Sequence, residues 1–302
     1  MSRVLVVGHA CVDVITRLSR PVGPDEKLEA EDVWVGGGGP AANAAVALRR
    51  LGHDVRLAVA LGDDVLGRIA REELISEGVE LLAAPRQGTT AVAQIQVVGR
   101  DRAVAWRAGS GEDLDANEVG AWLNGIELLY VDGHQRLCAD VAVRMAAARD
   151  IPVLADLGTL REGMDAWLAH CAWAVSSPRF ASTLAGSDDV ERGLDALSAH
   201  APGAIGVGIT LGGRGGVARA GGECIRWGPR KVRVQDTTAA GDAFHAGLAD
   251  AFLRGMAPPD ALQWASAVGA AVCRGLGGRK WLPRDRARME QFEAAWPELD
   301  VD

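Results

Sequence analysis

No run of basic residues, no Cys-x-x-Cys pair and no apolar stretch of membrane-spanning length occurs in this chain, and each absence removes a class of protein. The formal net charge is −8, from 32 Lys and Arg against 40 Asp and Glu. With no basic patch to offset it, that charge disfavours affinity built on neutralising nucleic-acid phosphates. The five cysteines, Cys11, Cys138, Cys171, Cys224 and Cys273, are odd in number and widely spaced. That spacing suggests neither a disulfide framework nor a zinc site and leaves them as small core residues. No apolar run approaches the roughly 18 residues of a membrane helix, and no signal-peptide pattern precedes the first strand, so the expected location is cytoplasmic. The P-loop pattern and the His-Arg-Asp and Asp-Phe-Gly sets of protein kinases are also missing.

What is present is a 302-residue chain, 48% hydrophobic, long enough to bury a large core. Short apolar strands alternate with helical segments, the pattern of a mainly parallel sheet covered on both faces. The candidate strands include Arg3–Gly8, Val55–Ala60, Leu128–Asp132, Pro152–Asp156 and Ala204–Thr210. Helical periodicity marks Val65–Ser76, Ala139–Ala148 and Ala261–Cys273. Leu28–Val35 and Ala91–Trp106 break the rhythm, the second reading as a hairpin that turns at Gly99–Arg102.

Three segments carry chemistry. DTTAAGDAFHAG, Asp236–Gly247, places Asp242 in the first turn of a helix whose apolar stripe is Phe244, Gly247, Leu248 and Ala251. Free amides and the macrodipole at such a terminus suit a phosphate or developing negative charge, and an acid there is expected to stay ionised. A plain helix cap is the competing reading of Asp242. VGGGGPAANAAVALRRLG, Val35–Gly52, reads as a strand, a glycine loop and a helix opened by Pro40, where the glycines admit close approach to the main chain or form a flexible bend. GITLGGRGGV, Gly208–Val217, is a strand ending in a glycine turn, alone a weak signal. Among the histidines, His134 lies just beyond a strand end with Asp132 and Gln135, where open α/β sheets bind ligands; His9 and His245 read as structural.

DTTAAGDAFHAG closely resembles the carboxy-terminal signature of the ribokinase-like (PfkB) carbohydrate kinases, D-T-x-G-A-G-D, with Ala239 in place of its first glycine. The match of GHACVD (Gly8–Asp13), the G-G-x-x-x-N loop (Gly38, Gly39, Asn43), LGDDVLG (Leu61–Gly67) and the T-L-G-x-x-G loop (Thr210, Gly212, Gly215) extends the resemblance over nearly the whole chain. It implies a single three-layer α/β/α domain spanning 1–302, with a mainly parallel sheet and a small discontinuous β lid from about 14–35 and 88–109 that often makes a dimer contact. It implies ATP-dependent phosphorylation of a sugar hydroxyl, with Asp242 as base and the Ala239, Ala240 and Gly241 turn as anion hole. Asp13, Gly38, Gly39 and Asn43 would hold the sugar, and Thr210, Gly212, Gly215, Ser177, Ser266 and Gly278 the nucleotide. Lys27, Arg107 and His134 would recognise an anionic group on a ketohexose. GGGGPAAN, FHAG and CRGLGGRKWLP look most like the ketohexose and sulfofructose kinase branch, where a lysine matching Lys27 helps hold the sulfonate. His134 stands where that branch is expected to place an arginine, so sulfonate specificity does not carry over.

One departure concerns the metal. The family's N-x-x-E reads Ser177 and Phe180 here, so Mg²⁺ would be held by the nucleotide phosphates, waters and Asp156 or Asp242. A monovalent-cation site near Asp236 and Thr238 is a further expectation. An adenosine-type nucleoside kinase on the same fold is the main alternative. A regulator that binds nucleotide without catalysis is motivated by the altered N-x-x-E. An NAD-linked oxidoreductase fails because the first strand ends in Gly8, His9 and Ala10 rather than G-x-G-x-x-G.

Overall fold

The computed structural model describes residues 1–82, 84–110 and 113–295, so residues 296–302 of the expected 1–302 domain lie outside the described residues. Its strands are β1 (Arg3–Gly8), β2 (Cys11–Leu18), β3 (Asp32–Gly38), β4 (Asp54–Val59), β5 (Glu80–Leu81), β6 (Val92–Val98), β7 (Asp101–Arg107), β8 (Leu128–Val131), β9 (Val153–Ala155), β10 (Cys171–Ser176), β11 (Gly206–Thr210), β12 (Gly216–Ala220) and β13 (Glu223–Trp227). Nine of them form one sheet in the order β13-β12-β11-β10-β9-β8-β1-β4-β5. It is parallel from β11 to β5, while β12 and β13 extend it antiparallel. The other four form a second sheet, β3-β2-β6-β7.

Alternation along β1 shows how the layers arise. Val4 and Val6 enter one apolar cluster and Leu5 and Val7 the other, all fully buried, because successive side chains leave a strand on opposite faces. The first face is covered by the helices Pro40–Arg50, Ala240–Leu253 and Pro258–Val272, the second by Arg136–Ala147, Pro178–Ala185 and Val190–His200. Gly247 lets two helices of the first face meet closely, since a Cβ there would stand 2.9 Å from the Val268 side chain.

The expected Arg3–Gly8 strand and Val65–Ser76 helix coincide with those observed. Asp64 caps that helix, accepting from the Gly67 amide at 2.7 Å, and also accepts from the Thr90 amide and hydroxyl. Other boundaries move by a few residues: the Ala139 helix begins at Arg136 and the Ala261 helix at Pro258, which suits a first turn. The expected hairpin forms between β6 and β7 and turns at Gly99, whose φ is +60°. The expected glycine loop is different. Gly36, Gly37 and Gly38 belong to β3, and each makes room for a neighbour: the Trp34 ring, the Arg279 guanidinium and the Asp13 carboxylate. Only Gly39 turns the chain, with φ +92°.

β1 lies between β4 and β8, where strand order reverses, and the loops leaving β1, β8 and β9 open there together. Asp132, buried just after β8, ties them. Its Oδ2 accepts from the His9 amide at 2.8 Å and the Ala41 amide at 2.9 Å, and its Oδ1 from the His134 amide at 2.9 Å. The sequence placed Asp132 beside a ligand; the structure spends its oxygens on three chain segments. Asp132→Ala strands these donors, and unmet buried donors cost about 1–3 kcal/mol each. Urea denaturation should show stability lowered by roughly 3 kcal/mol or more with the slope unchanged.

Candidate active site

Two cavities meet at the turn that precedes the helix Ala240–Leu253. The first, of about 510 Å³, lies between the two sheets and is lined by His9, Asp13, Gly39, Asn43, Thr238 and Asp242, among others. The second, of about 330 Å³, is lined by Thr210, Gly212, Gly215, Thr237, Gly241 and Ser266 among its walls. Thr238, Ala239 and Asp242 face the first, and Thr237, Ala240 and Gly241 the second. A Cβ built on Gly241, Gly212 or Gly213 would meet nothing within 4 Å, so backbone is open to a ligand at both ends of the second cavity.

The Asp242 carboxylate is positioned by a chain of hydrogen bonds. Asn43 Nδ2 donates to Asp242 Oδ2 at 2.6 Å, and Arg279 Nε donates to Asn43 Oδ1 at 2.8 Å. Arg279 also donates to the Gly38 carbonyl at 3.0 Å and pairs with Glu73 at 3.2 Å. It is almost wholly buried, so the charge is held by acceptors on every side. Asp242 Oδ1 has no hydrogen-bond partner among the described residues, and the residue lines the first cavity. The carboxyl is pushed up to about 7, first by burial and then by the Asp156 carboxylate; the Asn43 hydrogen bond and His245 act the other way. The helix terminus was expected to keep this acid ionised; burial and a second carboxylate act against that and raise its proton affinity.

Asp13, buried on β2, accepts from the Cys11 thiol at 3.2 Å, and burial raises its pKa. A Cβ at Gly38 would collide with this carboxylate, which explains that glycine. Asp156 is absent from both cavity walls; its oxygens face the Tyr130 hydroxyl at 3.4 Å and His245 at 3.4 Å. Asp236 is likewise engaged, accepting from the Thr238 amide and hydroxyl and from the Gly277 amide.

Several expected contacts fall elsewhere. Lys27 is exposed in the connection between β2 and β3 and is not among the residues lining the first cavity. Ser177 caps the helix Pro178–Ala185, accepting from the Phe180 amide at 3.1 Å and donating to the Gly158 carbonyl at 2.6 Å. Phe180 is fully buried in the second apolar cluster, which accounts for the missing carboxylate of N-x-x-E. Gly278 lies against Ala239 and Thr238 instead of the second cavity. Arg107 and His134 do line the first cavity. His134 stacks on His9 with ring centroids 4.5 Å apart, and Arg161 lies 3.0 Å from its Nε2. Burial holds His9 down to about 4 and lowers His134.

Sequence reasoning missed Arg102, Arg161, Arg179 and Arg279. The first three line the first cavity, and Arg102 also donates to the Thr238 hydroxyl at 3.2 Å. Only the guanidinium inside the GLGGRK glycine loop hinted at Arg279, and that loop was expected to hold the nucleotide through Gly278.

The sequence matches the profile of the pfkB family carbohydrate kinases over residues 1–284. The chain belongs to that family. It is 27% identical over 277 residues to the fructoselysine 6-kinase of Escherichia coli K12, covering 89% of this chain and 97% of the relative. Among solved structures, a ribokinase candidate from Agrobacterium tumefaciens superposes with a TM-score of 0.87 at 24% identity, covering 99% of both chains. The adenosine kinase of Sinorhizobium meliloti gives a TM-score of 0.81 at 21% identity, covering 96% of this chain and 99% of its own. The chain is thus a ribokinase-like carbohydrate kinase, a phosphotransferase with an alcohol group as acceptor. No described helix is long and apolar enough to cross a membrane.

The turn itself is strained. Ala239 occupies the left-handed region, φ +64°, at a cost of roughly 1–2 kcal/mol for a non-glycine residue. Its methyl sits where a Cβ on Gly278 would have to go. Gly278→Ala should therefore cut turnover strongly by displacing the turn. The pair Gly278→Ala with Ala239→Gly should recover part of it, because the colliding methyl is gone while the Thr238 carbonyl oxygen stays 3.0 Å from the added Cβ. Steady-state kinetics on the two variants checks this, and equal losses in both would show that the two positions are not coupled.

Proposed function

We propose that the chain transfers the terminal phosphoryl group of ATP to a hydroxyl of a ketohexose or a related sugar, anionic derivatives included, with Asp242 as the base. The observation that carries this is the shared wall of the two cavities, where the Thr237–Asp242 turn offers a carboxylate to one side and open backbone to the other. A sugar in the first cavity, held by Asp13, Asn43, Gly38 and Gly39, turns a hydroxyl toward Asp242 Oδ1. The proton passes to that carboxylate, and the hydroxyl oxygen bonds to the terminal phosphorus. The bond to the bridging oxygen breaks, and ADP leaves with the electron pair. The amides of Ala240 and Gly241 receive the charge that spreads over the transferring oxygens. Nucleotide lies along Thr210, Gly212, Gly215 and Ser266.

Among the described residues no group of three or more His, Cys, Asp or Glu could hold a metal ion. Mg²⁺ would be bound mainly by the nucleotide phosphates and water and would supply charge neutralisation. The four-stranded sheet is read as a lid over the sugar in one kinase domain. Val33 and Val35, exposed on its edge strand β3, support a homodimer contact through it.

Asp242→Asn should lose about 10²- to 10⁴-fold in kcat while keeping fold and nucleotide affinity. In the wild-type protein kcat/KM should fall as pH drops below about 7, because the protonated carboxyl cannot accept the hydroxyl proton. Asp156→Asn removes a charge that raises the pKa of this group and should move that limb to lower pH. A direct ATP-turnover assay over sugars and adenosine reads all three. Retention of more than about a tenth of turnover in Asp242→Asn would remove it as the base.

The cavity wall supports a charged acceptor. Arg102, Arg107, Arg161 and Arg179 line it with His134, and none of the four pairs with a carboxylate among the described residues. Such unpaired guanidiniums suit a phosphate or carboxylate substituent. Arg161→Ala should raise KM for a phosphorylated ketohexose by about tenfold or more, and for the neutral sugar by less than about threefold. Lys27→Ala should change neither. Equal effects of Arg161→Ala on both sugars would exclude charge recognition at this place.

A further inference from the structure

The segment between β13 and the Thr237–Asp242 turn alternates in sequence, Lys231-Val232-Arg233-Val234-Gln235, and its two sides serve two cavities. Val232 and Val234 pack on the first apolar cluster and line the second cavity, where nucleotide is proposed to lie. Lys231, Arg233 and Gln235 line a third cavity, of about 520 Å³, which shares Val232 as a wall. Its other walls are Arg17 and Asp32, opposite each other on β2 and β3, and Arg274, Leu276 and Trp281 from the loop after the helix Pro258–Val272. No step of the proposed transfer uses this space.

Four cationic side chains meet one carboxylate there, in a chain whose net charge is −8. None of Arg17, Lys231, Arg233 and Arg274 pairs with a carboxylate among the described residues. Arg17 donates to the Gln235 carbonyl at 2.8 Å. Arg274 donates to the carbonyls of Ala271 at 3.1 Å and Trp281 at 3.3 Å, and lies 4.5 Å from the centroid of the Phe292 ring. Its surroundings are thus neutral, and burial lowers its pKa. Lys231 and Arg233 are exposed and have no acceptor among the described residues. Asp32 Oδ1 is engaged by the Val33 amide at 2.9 Å, and one carboxylate does not balance four cations. Like charges gathered around a cavity repel one another, and an anion between them relieves that repulsion. Three guanidiniums favour phosphate, which accepts from two N–H groups of one fork at once. Trp281 adds an aromatic face: it is 38% exposed, and its ring fills the space that a Cβ on Gly275 would need.

We propose that this third cavity binds a small phosphate-bearing anion of at least two negative charges, held by Arg17, Arg233, Arg274 and Lys231, with the Trp281 indole against its remaining part. The site is separate from the sugar and nucleotide cavities, so it stands or falls independently of the reading of Asp242. It lies close behind the turn nonetheless. Arg17 serves both the anion and the Gln235 carbonyl, and the next residue, Asp236, accepts from the amides of Thr238 and Gly277.

Occupancy is read by ¹⁹F NMR of the full chain labelled with fluorotryptophan, with the Trp281 resonance assigned by Trp281→Phe. The probes are inorganic pyrophosphate, fructose 6-phosphate and ADP, each compared with sodium chloride of equal ionic strength. At least one should shift the Trp281 resonance saturably, with a Kd of about 1 mM or below. Lys231→Ala combined with Arg233→Ala should raise that Kd about tenfold or more, while ATP turnover stays within about twofold and shows that the variant is folded. Arg161→Ala, in the first cavity, should leave the same Kd within about twofold. Pyrophosphate bound as tightly as the other two identifies phosphate alone as the recognised group; tighter binding of ADP or of the sugar phosphate identifies the part that Trp281 covers. A linear shift matched by chloride for all three probes overturns the proposal, as does a Kd that the double variant leaves unchanged.

Discussion

The arrangement depends on burying negative charge where the parallel strands end. Asp13, Asp132 and Asp156 are buried there, and Asp242 stands half-buried beside them. Each is answered differently. Asp132 takes three backbone amides, Asp13 a thiol proton, and Asp156 a phenol and a histidine. Asp242 receives one amide group from Asn43. Asp242 faces the cavity with a single neutral donor and the Asp156 carboxylate nearby, and the same imbalance that raises its proton affinity suits it to general-base work.

Arg279 brings distant pieces of chain to this point. From the loop after the helix Pro258–Val272 it reaches Asn43, the carbonyl of Gly38 on the second sheet and Glu73 on the helix Val65–Ser76. Its own carbonyl accepts from Arg50 at 2.8 Å. A buried guanidinium whose three nitrogens each donate is a costly element to assemble, and breaking it would leave charge unpaired. The orientation of Asp242 is thereby tied to the meeting of both sheets.

Periodicity made the scaffold legible. The alternation in Arg3–Gly8 and the helical spacing in Val65–Ser76 are local properties, and local structure follows them. The Asp236–Gly247 segment disclosed the turn because its small residues are written consecutively. Arg161 and Arg179 were silent and Arg279 gave no more than a hint, since only the fold decides which of many arginines face inward. What the glycines of β3 pack against was hidden for the same reason. Their role is to vacate space for Trp34, Arg279 and Asp13, and nothing in a run of glycine names the side chain that fills it. Lys27 looked useful by correspondence, but its connecting segment carries it to the surface. The ionisation of Asp242 was misjudged because a helix terminus is visible in sequence and a neighbouring buried carboxylate is not.

The five cysteines separate into two chemical populations. Cys11, Cys138, Cys171 and Cys273 are buried, and burial pushes their thiols up, to about 11 for Cys138 and Cys273 and about 12 for Cys171. Since the thiolate is the nucleophile, the folded protein shields these four from oxidants and alkylating reagents, including Cys11 on the cavity wall. Cys224 alone is exposed, on β13 at the edge of the large sheet. A maleimide label or an intermolecular disulfide would therefore form first at that edge, and modification of the other four would report that the fold has opened.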